Sequence, residues 1–171
     1  MKDCIISGVI FAILLNIALQ SFLSAQEILA IPLDSLNEVS PKIELDSECK
    51  VEGNNSIKIT AVTPCRVTIH KIDGMGRDNF NLKTYLMIKT ELEEGTVILE
   101  TLVKVKGGIY FSRALDQKVC GSSDWKQIYT NFRFKKDESP DEVLVNLIIE
   151  GRGIVWADEL KFVSENPVLD E

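Results

Sequence analysis

A chain of 171 residues, of which 45% are hydrophobic and 26% are charged, can bury one ordinary hydrophobic core and leaves little room for a second domain. Its formal net charge of -7 repels the phosphate backbones of nucleic acids and anionic lipid headgroups. The composition therefore favours a single domain and argues against nucleic acid as a partner.

The N-terminal segment differs in composition from the rest of the chain. Lys2 precedes an apolar run from Cys4 to Leu19, and the segment that follows ends in the small residues Ser24 and Ala25. This pattern predicts a secretory signal peptide over residues 1–25. An uncleaved anchor is the alternative, because about twenty apolar residues also span a bilayer. In either case we expect the remainder to be secreted, periplasmic or at the cell surface.

Residues 26–41 form a predicted leader segment that can add an edge strand. From residue 42 onward, apolar side chains recur with a period of two. In 84–92, for example, Leu86 and Ile88 share one parity and Tyr85 and Lys89 share the other. Such alternation is typical of half-buried antiparallel strands, because successive side chains point to opposite faces. The predicted strands are 42–52, 56–62, 66–72, 84–92, 97–105, 108–113, 127–134, 143–150 and 154–163.

Turn-forming residues separate these runs, and no segment shows a sustained helical pattern. Gly95 lies between two of the longest runs, and Pro140 precedes another. Eight or nine short strands at this spacing predict an all-β fold, a β-sandwich, over residues 42–165. Residues 166–171 are a C-terminal tail.

The exported part of the chain carries three cysteines, Cys49, Cys65 and Cys120. Disulfides persist outside the cytoplasm, and an odd number allows at most one intramolecular bond. The sequence does not choose between a Cys49–Cys65 bond and a Cys65–Cys120 bond. Three reduced, buried thiols are the alternative.

Three sequence motifs follow one another in an order that is informative about the fold. Gly-Asn-Asn-Ser-Ile-Lys-Ile at 53–59 resembles an early Gly-x-Ser-Leu-Lys-Val strand, and Gly-Ser-Ser-Asp-Trp at 121–125 resembles a Gly-Thr-x-x-Trp strand opening. Residues 151–160 resemble a final Gly-x-Gly-x-x-Trp-x-Asp-Asp-Val strand, with Glu159 replacing the second Asp. Together these motifs resemble the carbohydrate-binding modules found beside glycoside hydrolases, which belong to the galactose-binding-like class.

The resemblance covers Glu44 to Val163. It implies a jelly-roll β-sandwich of two antiparallel sheets that binds a glycan or polysaccharide without catalysis. The tryptophans Trp125 and Trp156 are interpreted as packing residues rather than stacking platforms, because their counterparts in similar sequences cover the edge and the end of the core.

The outward-facing side chains of the central strands are the candidate ligand surface. If these strands share a sheet, the surface combines aromatic rings for stacking with fixed hydrogen-bond donors and acceptors, which a neutral glycan needs. An ordinary solvated sheet face has a similar composition. The predicted ligand-binding residues are Tyr85, Lys89, Tyr129, Asn131, Arg133 and Asn146.

A second binding mode of the family uses loops at one end of the sandwich. Here those loops are 73–81 and 114–124, and Met75, Arg77 and Asp78 would take part.

Many relatives of this kind carry a structural calcium that joins the start of the domain to its last strand. Calcium prefers roughly six to eight oxygen ligands. Asp158 matches the final motif, and the other candidate ligands are Glu48, Glu52 and the carbonyl near Gly53. The early segment lacks a clear acidic pair, so surface carboxylates that are simply solvated are the alternative.

The sequence gives little support for catalysis. The single histidine, His70, lies in a predicted strand and has no nucleophile elbow near it. We therefore expect an exported, noncatalytic β-sandwich that binds a carbohydrate. The alternative is a protein-interaction or structural module of the envelope, with another envelope or secreted protein as its partner. A third interpretation is an inhibitor or subunit of a secreted enzyme.

Overall fold

The computed structural model describes residues 27–35 and 43–166. The predicted signal peptide at 1–25 lies outside the described residues and stays a prediction. The described chain is all-β and antiparallel, with nine strands and one short 3-10 turn. The strands are β1 (Glu27–Ile31), β2 (Ile43–Asp46), β3 (Ser56–Ala61), β4 (Cys65–Asp73), β5 (Phe80–Val105), β6 (Gly108–Arg113), β7 (Val119–Phe134), β8 (Glu142–Ile149) and β9 (Arg152–Glu165), and the turn is Leu115–Gln117.

All nine described strands form one curled sheet in the order β2-β3-β9-β5-β8-β4, with β1 on β9 and with β6 and β7 on β5. The long strand β5 takes part in both layers of this curled sheet. Its first part, from Phe80 to Leu92, pairs with β7 and β9, and its second part, from Val97 to Val105, pairs with β6 and β8. We call the two resulting layers the front half-sheet (β1, β2, β3, β7, β9 and the first part of β5) and the back half-sheet (β4, β6, β8 and the second part of β5).

The inner faces of the two half-sheets enclose a single hydrophobic core. The alternation predicted from the sequence is confirmed, since Leu86 and Ile88 of the front layer and Leu99 of the back layer are fully buried. Burying each such side chain contributes roughly 1.5–3 kcal/mol. The layers also meet through a polar contact, in which the Thr101 and Thr130 hydroxyl oxygens lie 2.6 Å apart. The core therefore holds the outer faces in fixed positions.

The predicted strands 84–92 and 97–105 are one continuous strand in the structure. Its register against β7 shifts between Glu91 and Thr96, and Gly95 between them has a φ of 95°. A bulge with a glycine bends a strand without ending its pairing. The turn expected at Gly95 is therefore the point where β5 passes from the front layer to the back layer.

Two glycines touch at this crossing. A Cβ atom on Gly95 would lie 2.1 Å from the carbonyl oxygen of Glu150, and one on Gly151 would lie 2.0 Å from the carbonyl oxygen of Glu94. Both obstacles are backbone atoms, which cannot rotate away. Gly151, the first glycine of the final sequence motif, is thus required because the two backbone segments cross in contact at this point.

The structure corrects the predicted strand 42–52, which ends at Asp46. Residues 47–55 form a loop instead, because side-chain carboxylates satisfy its backbone amides. Asp46 accepts the amides of Glu48 and Cys49 at 2.9 and 3.0 Å. The leader contributes β1, which pairs with β9 as an edge strand, as predicted.

The cysteines Cys49, Cys65 and Cys120 are free thiols in the structure. Neither of the two disulfides considered from the sequence is formed. The thiols are reduced, as in the alternative, but they are not buried, since Cys120 is exposed and Cys49 and Cys65 are half-buried. None of the helical turns in the described residues is long and apolar enough to cross a membrane.

Candidate functional site

Cross-strand pairing brings five of the six predicted ligand-binding residues onto the outer face of the front half-sheet. Tyr85 lies opposite Tyr129, and the neighbouring pairs place Asn131 opposite Lys83 and Arg133 opposite Asn81. Directly opposed residues of antiparallel strands point to the same face. We call this surface the tyrosine face; its residues are Tyr85, Tyr129, Asn131, Arg133 and, at one end, Lys89.

The two tyrosines form the centre of this face. Their ring centroids are 5.6 Å apart and the ring planes are inclined by 42°. Tyr129 remains 39% exposed. The pair therefore presents aromatic surface to solvent while each ring supports the other, an arrangement worth about 0.5–1.5 kcal/mol beyond burial.

The backbone of Tyr129 is fixed by the side chain of Gln117 in the 3-10 turn. The Gln117 Oε1 atom accepts the Tyr129 amide at 3.1 Å, and Nε2 donates to the Tyr129 carbonyl at 3.4 Å. The side-chain amide of Gln117 thus hydrogen-bonds to the open edge of β7 as the backbone of a neighbouring strand would. This holds Tyr129 in place before any ligand arrives, which reduces the entropy lost on binding.

A hollow of about 230 Å³ adjoins the Arg133 end of the tyrosine face. Tyr110 and Phe132 line it together with Arg133 and Glu138. A ligand on the tyrosine face can therefore extend toward further aromatic surface at this edge of the fold.

Lys89 marks the other end of the face, next to Trp156. The Lys89 Nζ atom lies 5.8 Å from the Trp156 ring centroid. Trp156 itself is buried, and its indole nitrogen donates to Asp46 Oδ2 at 2.9 Å. The prediction that Trp156 packs rather than stacks on a ligand is confirmed, and Trp125 is half-buried.

The indole contact also changes the acidity of Asp46. The hydrogen bond from Trp156, followed by those from the Cys49 and Glu48 amides, lowers the pKa of Asp46 to about 2. Each of these donors favours the charged carboxylate. Asp46 therefore stays ionised while it anchors the 47–55 loop over the front half-sheet.

Asp158, the main candidate calcium ligand, anchors the same loop. Its Oδ2 atom accepts the amides of Val51 at 2.7 Å and Glu52 at 3.2 Å, and its Oδ1 atom accepts the amide of Glu159 at 2.8 Å. The side chains of Glu48 and Glu52 are exposed to solvent. Gly53 lies beside the carboxylate of Asp34.

These contacts give the predicted calcium site no support. No group of three or more His, Cys, Asp or Glu side chains within residues 27–35 and 43–166 is arranged to hold a metal ion. In the structure, the carboxylate oxygens of Asp158 are engaged by backbone amides, so its visible role is to hold the loop.

Asn146 does not belong to the tyrosine face, and its predicted position there is wrong. It lies on β8 in the back half-sheet and is 2% exposed. Its amide donates to Glu100 Oε1 at 3.0 Å and accepts from Thr68 Oγ1 at 2.8 Å. The alternation correctly predicted its outward direction, but β8 pairs with the second part of β5, on the opposite side of the fold.

Asn146 belongs to a polar cluster that the sequence analysis did not single out. Glu100 lies at its centre and accepts from Arg66 Nη2 at 3.1 Å and Arg113 Nε at 2.7 Å. We call these residues the arginine cluster: Arg66, Arg113, Glu100, Asn146 and Thr68. The sequence did contain one indication of this cluster, which was Glu100, a charged residue at an outward position of the apolar run 97–105.

The alternative binding loop, 73–81, is fastened by the residues that were expected to bind. Arg77 donates to Ser164 Oγ at 2.7 Å and covers the Phe80 ring at 4.7 Å. Asp78 accepts the backbone amide of Asp137. Met75 packs against the core beside a hollow of about 200 Å³.

Comparison with known proteins identifies the architecture. No protein-family model matches the sequence, and no curated protein matches it significantly. Among solved structures, the CBM22-1 xylan-binding domain of Paenibacillus barcinonensis Xyn10C superposes with a TM-score of 0.58 at 12% identity, over 85% of this chain and 99% of that chain. A family 16 carbohydrate-binding module superposes with a TM-score of 0.53 at 10% identity, over 71% and 84%.

A third match is to the CBM22-1-GH10 modules of Clostridium thermocellum xylanase 10B complexed with xylohexaose. It has a TM-score of 0.55 at 6% identity and covers 84% of this chain and 27% of that chain. At these identities the likeness shows the fold alone. The chain therefore has a jelly-roll fold like that of carbohydrate-binding modules, as the three sequence motifs implied. Its described strands form one curled sheet instead of the two separate sheets that were expected.

Proposed function

We propose that this protein is an exported, noncatalytic carbohydrate-binding protein whose tyrosine face holds a glycan. The observation that carries the proposal is the Tyr85–Tyr129 pair, in which Tyr129 is exposed and Tyr85 half-buried, on the outer face of a sheet with the fold of carbohydrate-binding modules. Pyranose rings have apolar faces that pack on aromatic side chains, and their hydroxyl groups need donors and acceptors at the rim.

The side chains around the tyrosine pair suit such a ligand. Asn131 provides both an amide donor and a carbonyl acceptor, and Lys161 lies opposite Tyr85 on the third strand. Successive outward residues of a strand are about 6.8 Å apart, so the rows on either side of the tyrosines are within reach of neighbouring sugar units. The face thus supports binding to an extended glycan chain.

Noncatalytic binding agrees with the character of the matched structures, which are named as carbohydrate-binding modules. Export is the part of the proposal that rests on the predicted signal peptide, and an exported protein would meet polysaccharides outside the cytoplasm.

Titration of the purified protein with glycans selected on a glycan array tests this proposal. We expect Tyr129→Ala to weaken binding about tenfold to thirtyfold, since truncating an aromatic anchor costs about 1.4–2 kcal/mol. The matched control is Ile109→Ala, which removes an exposed apolar side chain from the back half-sheet, outside the tyrosine face. A folded wild-type protein that retains no glycan on the array, or equal losses in both variants, would contradict the proposal.

A further inference from the structure

A fully buried charge lies at an outward position of the back half-sheet. Glu100 alternates with Leu99 and Thr101, which point into the core, and yet the Glu100 side chain is 0% exposed. It forms one cross-strand row with Arg113 of β6 and Asn146 of β8. The neighbouring side chains therefore close over the carboxylate on the outside of the fold.

The arginine cluster has more positive than negative charge. Two guanidinium groups share the single carboxylate oxygen Oε2 of Glu100. Arg66 uses only Nη2 and Arg113 uses only Nε, so their other guanidinium nitrogens have no hydrogen-bond acceptor within the described chain. The two side chains are 49% and 33% exposed. The unused donors of both guanidinium groups therefore reach solvent, while the buried Glu100 carboxylate holds the two groups in place.

Apolar surface lies directly beside these donors. Phe111 is 59% exposed, and the Arg113 guanidinium lies 4.5 Å from its ring centroid. Phe111 is paired with Leu102, which lies opposite Leu144 on the next strand. The surface therefore offers an aromatic ring and aliphatic side chains next to a planar cation.

We propose that the arginine cluster is a second carbohydrate site, which recognises a uronic acid unit of an acidic glycan. The sugar carboxylate would accept the unused guanidinium donors of Arg66 and Arg113, whose fork geometry suits a carboxylate. The sugar ring would pack on Phe111. The inference rests on the proposed function for its ligand class, but it concerns the opposite half-sheet and other residues.

The charge of the entire protein restricts which acidic glycans fit. A net charge of -7 repels polyanions at long range, and the repulsion grows with the number of charges on the ligand. The site therefore suits isolated uronic acids on an otherwise neutral glycan better than a continuous polyuronate.

Calorimetric titration with a matched pair of ligands tests the inference. The probes are a xylotetraose carrying one glucuronic acid branch and the methyl ester of the same oligosaccharide, which lacks the charge. We expect the acid to bind about tenfold more tightly than the ester, since charge-assisted hydrogen bonds are about twice as strong as neutral ones. Acid and ester of equal affinity would overturn the inference.

Three variants assign the preference to the cluster. Arg66→Lys keeps the charge but removes the fork, and we expect it to reduce the ratio of acid to ester affinity at least threefold. Lys126→Gln removes an exposed cation of the front half-sheet and should leave that ratio unchanged. Glu100→Gln removes the competing carboxylate and should increase the affinity for the acid severalfold, whereas a purely structural ion cluster predicts no gain.

Thermal unfolding of each variant checks that it is folded. If Glu100→Gln unfolds, Arg66→Lys still decides the test, because Arg66 is half-exposed and we expect its replacement to leave the fold intact. Neutral glycans that bind through Tyr129, with no preference for the acid, would overturn this inference and leave the proposed function standing. Loss of all glycan binding would contradict both.

Discussion

His70 is buried in the core in spite of its polar ring. The register of β4 against β8 shifts between Thr68 and His70, so that Ile69 and His70 both turn inward. The imidazole ring lies 6.1 Å from the ring of Phe162 on the opposite half-sheet. Burial lowers the pKa of His70 because the charged imidazolium loses its hydration.

We therefore expect the stability of the fold to fall as the pH drops through about 6.5, the ordinary histidine pKa. The unfolded chain binds a proton there, while the folded chain, with its lower pKa, does not, so the stability present above this pH is progressively lost below it. Melting temperatures between pH 8 and pH 5 measure this effect. His70→Phe should remove this histidine-linked slope, and a slope that persists in the variant would assign it to other groups.

Replacing Asp46, the hydrogen-bond acceptor of Trp156, measures how much the anchoring of the 47–55 loop contributes to stability. Asp46→Ala leaves the buried indole donor without its acceptor, and we expect a loss of about 1–3 kcal/mol in the free energy of unfolding. The matched control is Asp73→Ala, which removes an exposed partner of Lys71 and should cost less than about 1 kcal/mol. Urea denaturation compares the two variants, and equal costs would contradict the proposed anchoring role.

The same carboxylate has its own pH dependence. The pKa of Asp46 is lowered to about 2, so its contribution is present above the ordinary aspartate pKa of about 3.9 and is lost as the pH falls toward 2. This window is separate from that of His70, and the two effects can be measured in one pH series.

Strand β5 is the element on which the architecture depends, because it is the only described strand with long ladders in both half-sheets. At its crossing, Gly151→Ala would place a Cβ atom 2.0 Å from the backbone oxygen of Glu94. We expect this variant to lose more than about 3 kcal/mol of stability, since the backbone must shift.

Gly107 provides a control that separates steric exclusion from backbone conformation. Its φ is 78°, but a Cβ atom added there would meet no other atom within 4 Å. Gly107→Ala should therefore cost only about 1–2 kcal/mol, the conformational term for an ordinary residue with positive φ. Denaturation midpoints of similar size for the two variants would contradict the crossing argument.

The 3-10 turn contributes to the candidate site through Gln117. We expect Gln117→Ala to leave the melting temperature nearly unchanged but to weaken glycan binding about threefold to fivefold, because the Tyr129 backbone loses its lateral support. Asp116→Ala, at an exposed position of the same turn, is the control. Unchanged affinity in Gln117→Ala would show that Tyr129 needs no such support.

These elements show what the sequence pattern could and could not predict. Alternation with a period of two determines which face of a strand is apolar, so Leu86, Leu99 and Tyr129 were all oriented correctly. It does not determine which strands are neighbours, and for this reason Asn146 was placed on the wrong half-sheet. Which face a charged residue shares with its partners depends on pairing between strands distant in sequence, so the arginine cluster was not foreseen.

Across the entire chain, the resemblance to carbohydrate-binding modules rests on residues that the fold itself requires. Gly151 is fixed by the β5 crossing, Trp156 by its contact with Asp46, and Asp158 by the loop amides that it accepts. Such residues carry information about the architecture and not about the ligand. The ligand must therefore be inferred from the outer faces, where the tyrosine face and the arginine cluster lie on opposite half-sheets.

A two-dimensional NMR titration with the glycan that binds best on the array tests most directly whether the tyrosine face is the glycan site. We expect the largest amide shift changes at Tyr85, Tyr129 and Asn131, and little change at β3 or in the 47–55 loop. The same titration of the Tyr85→Ala/Tyr129→Ala double variant should show almost no change. Shifts confined to residues away from the tyrosine face, or undiminished in the double variant, would contradict the account.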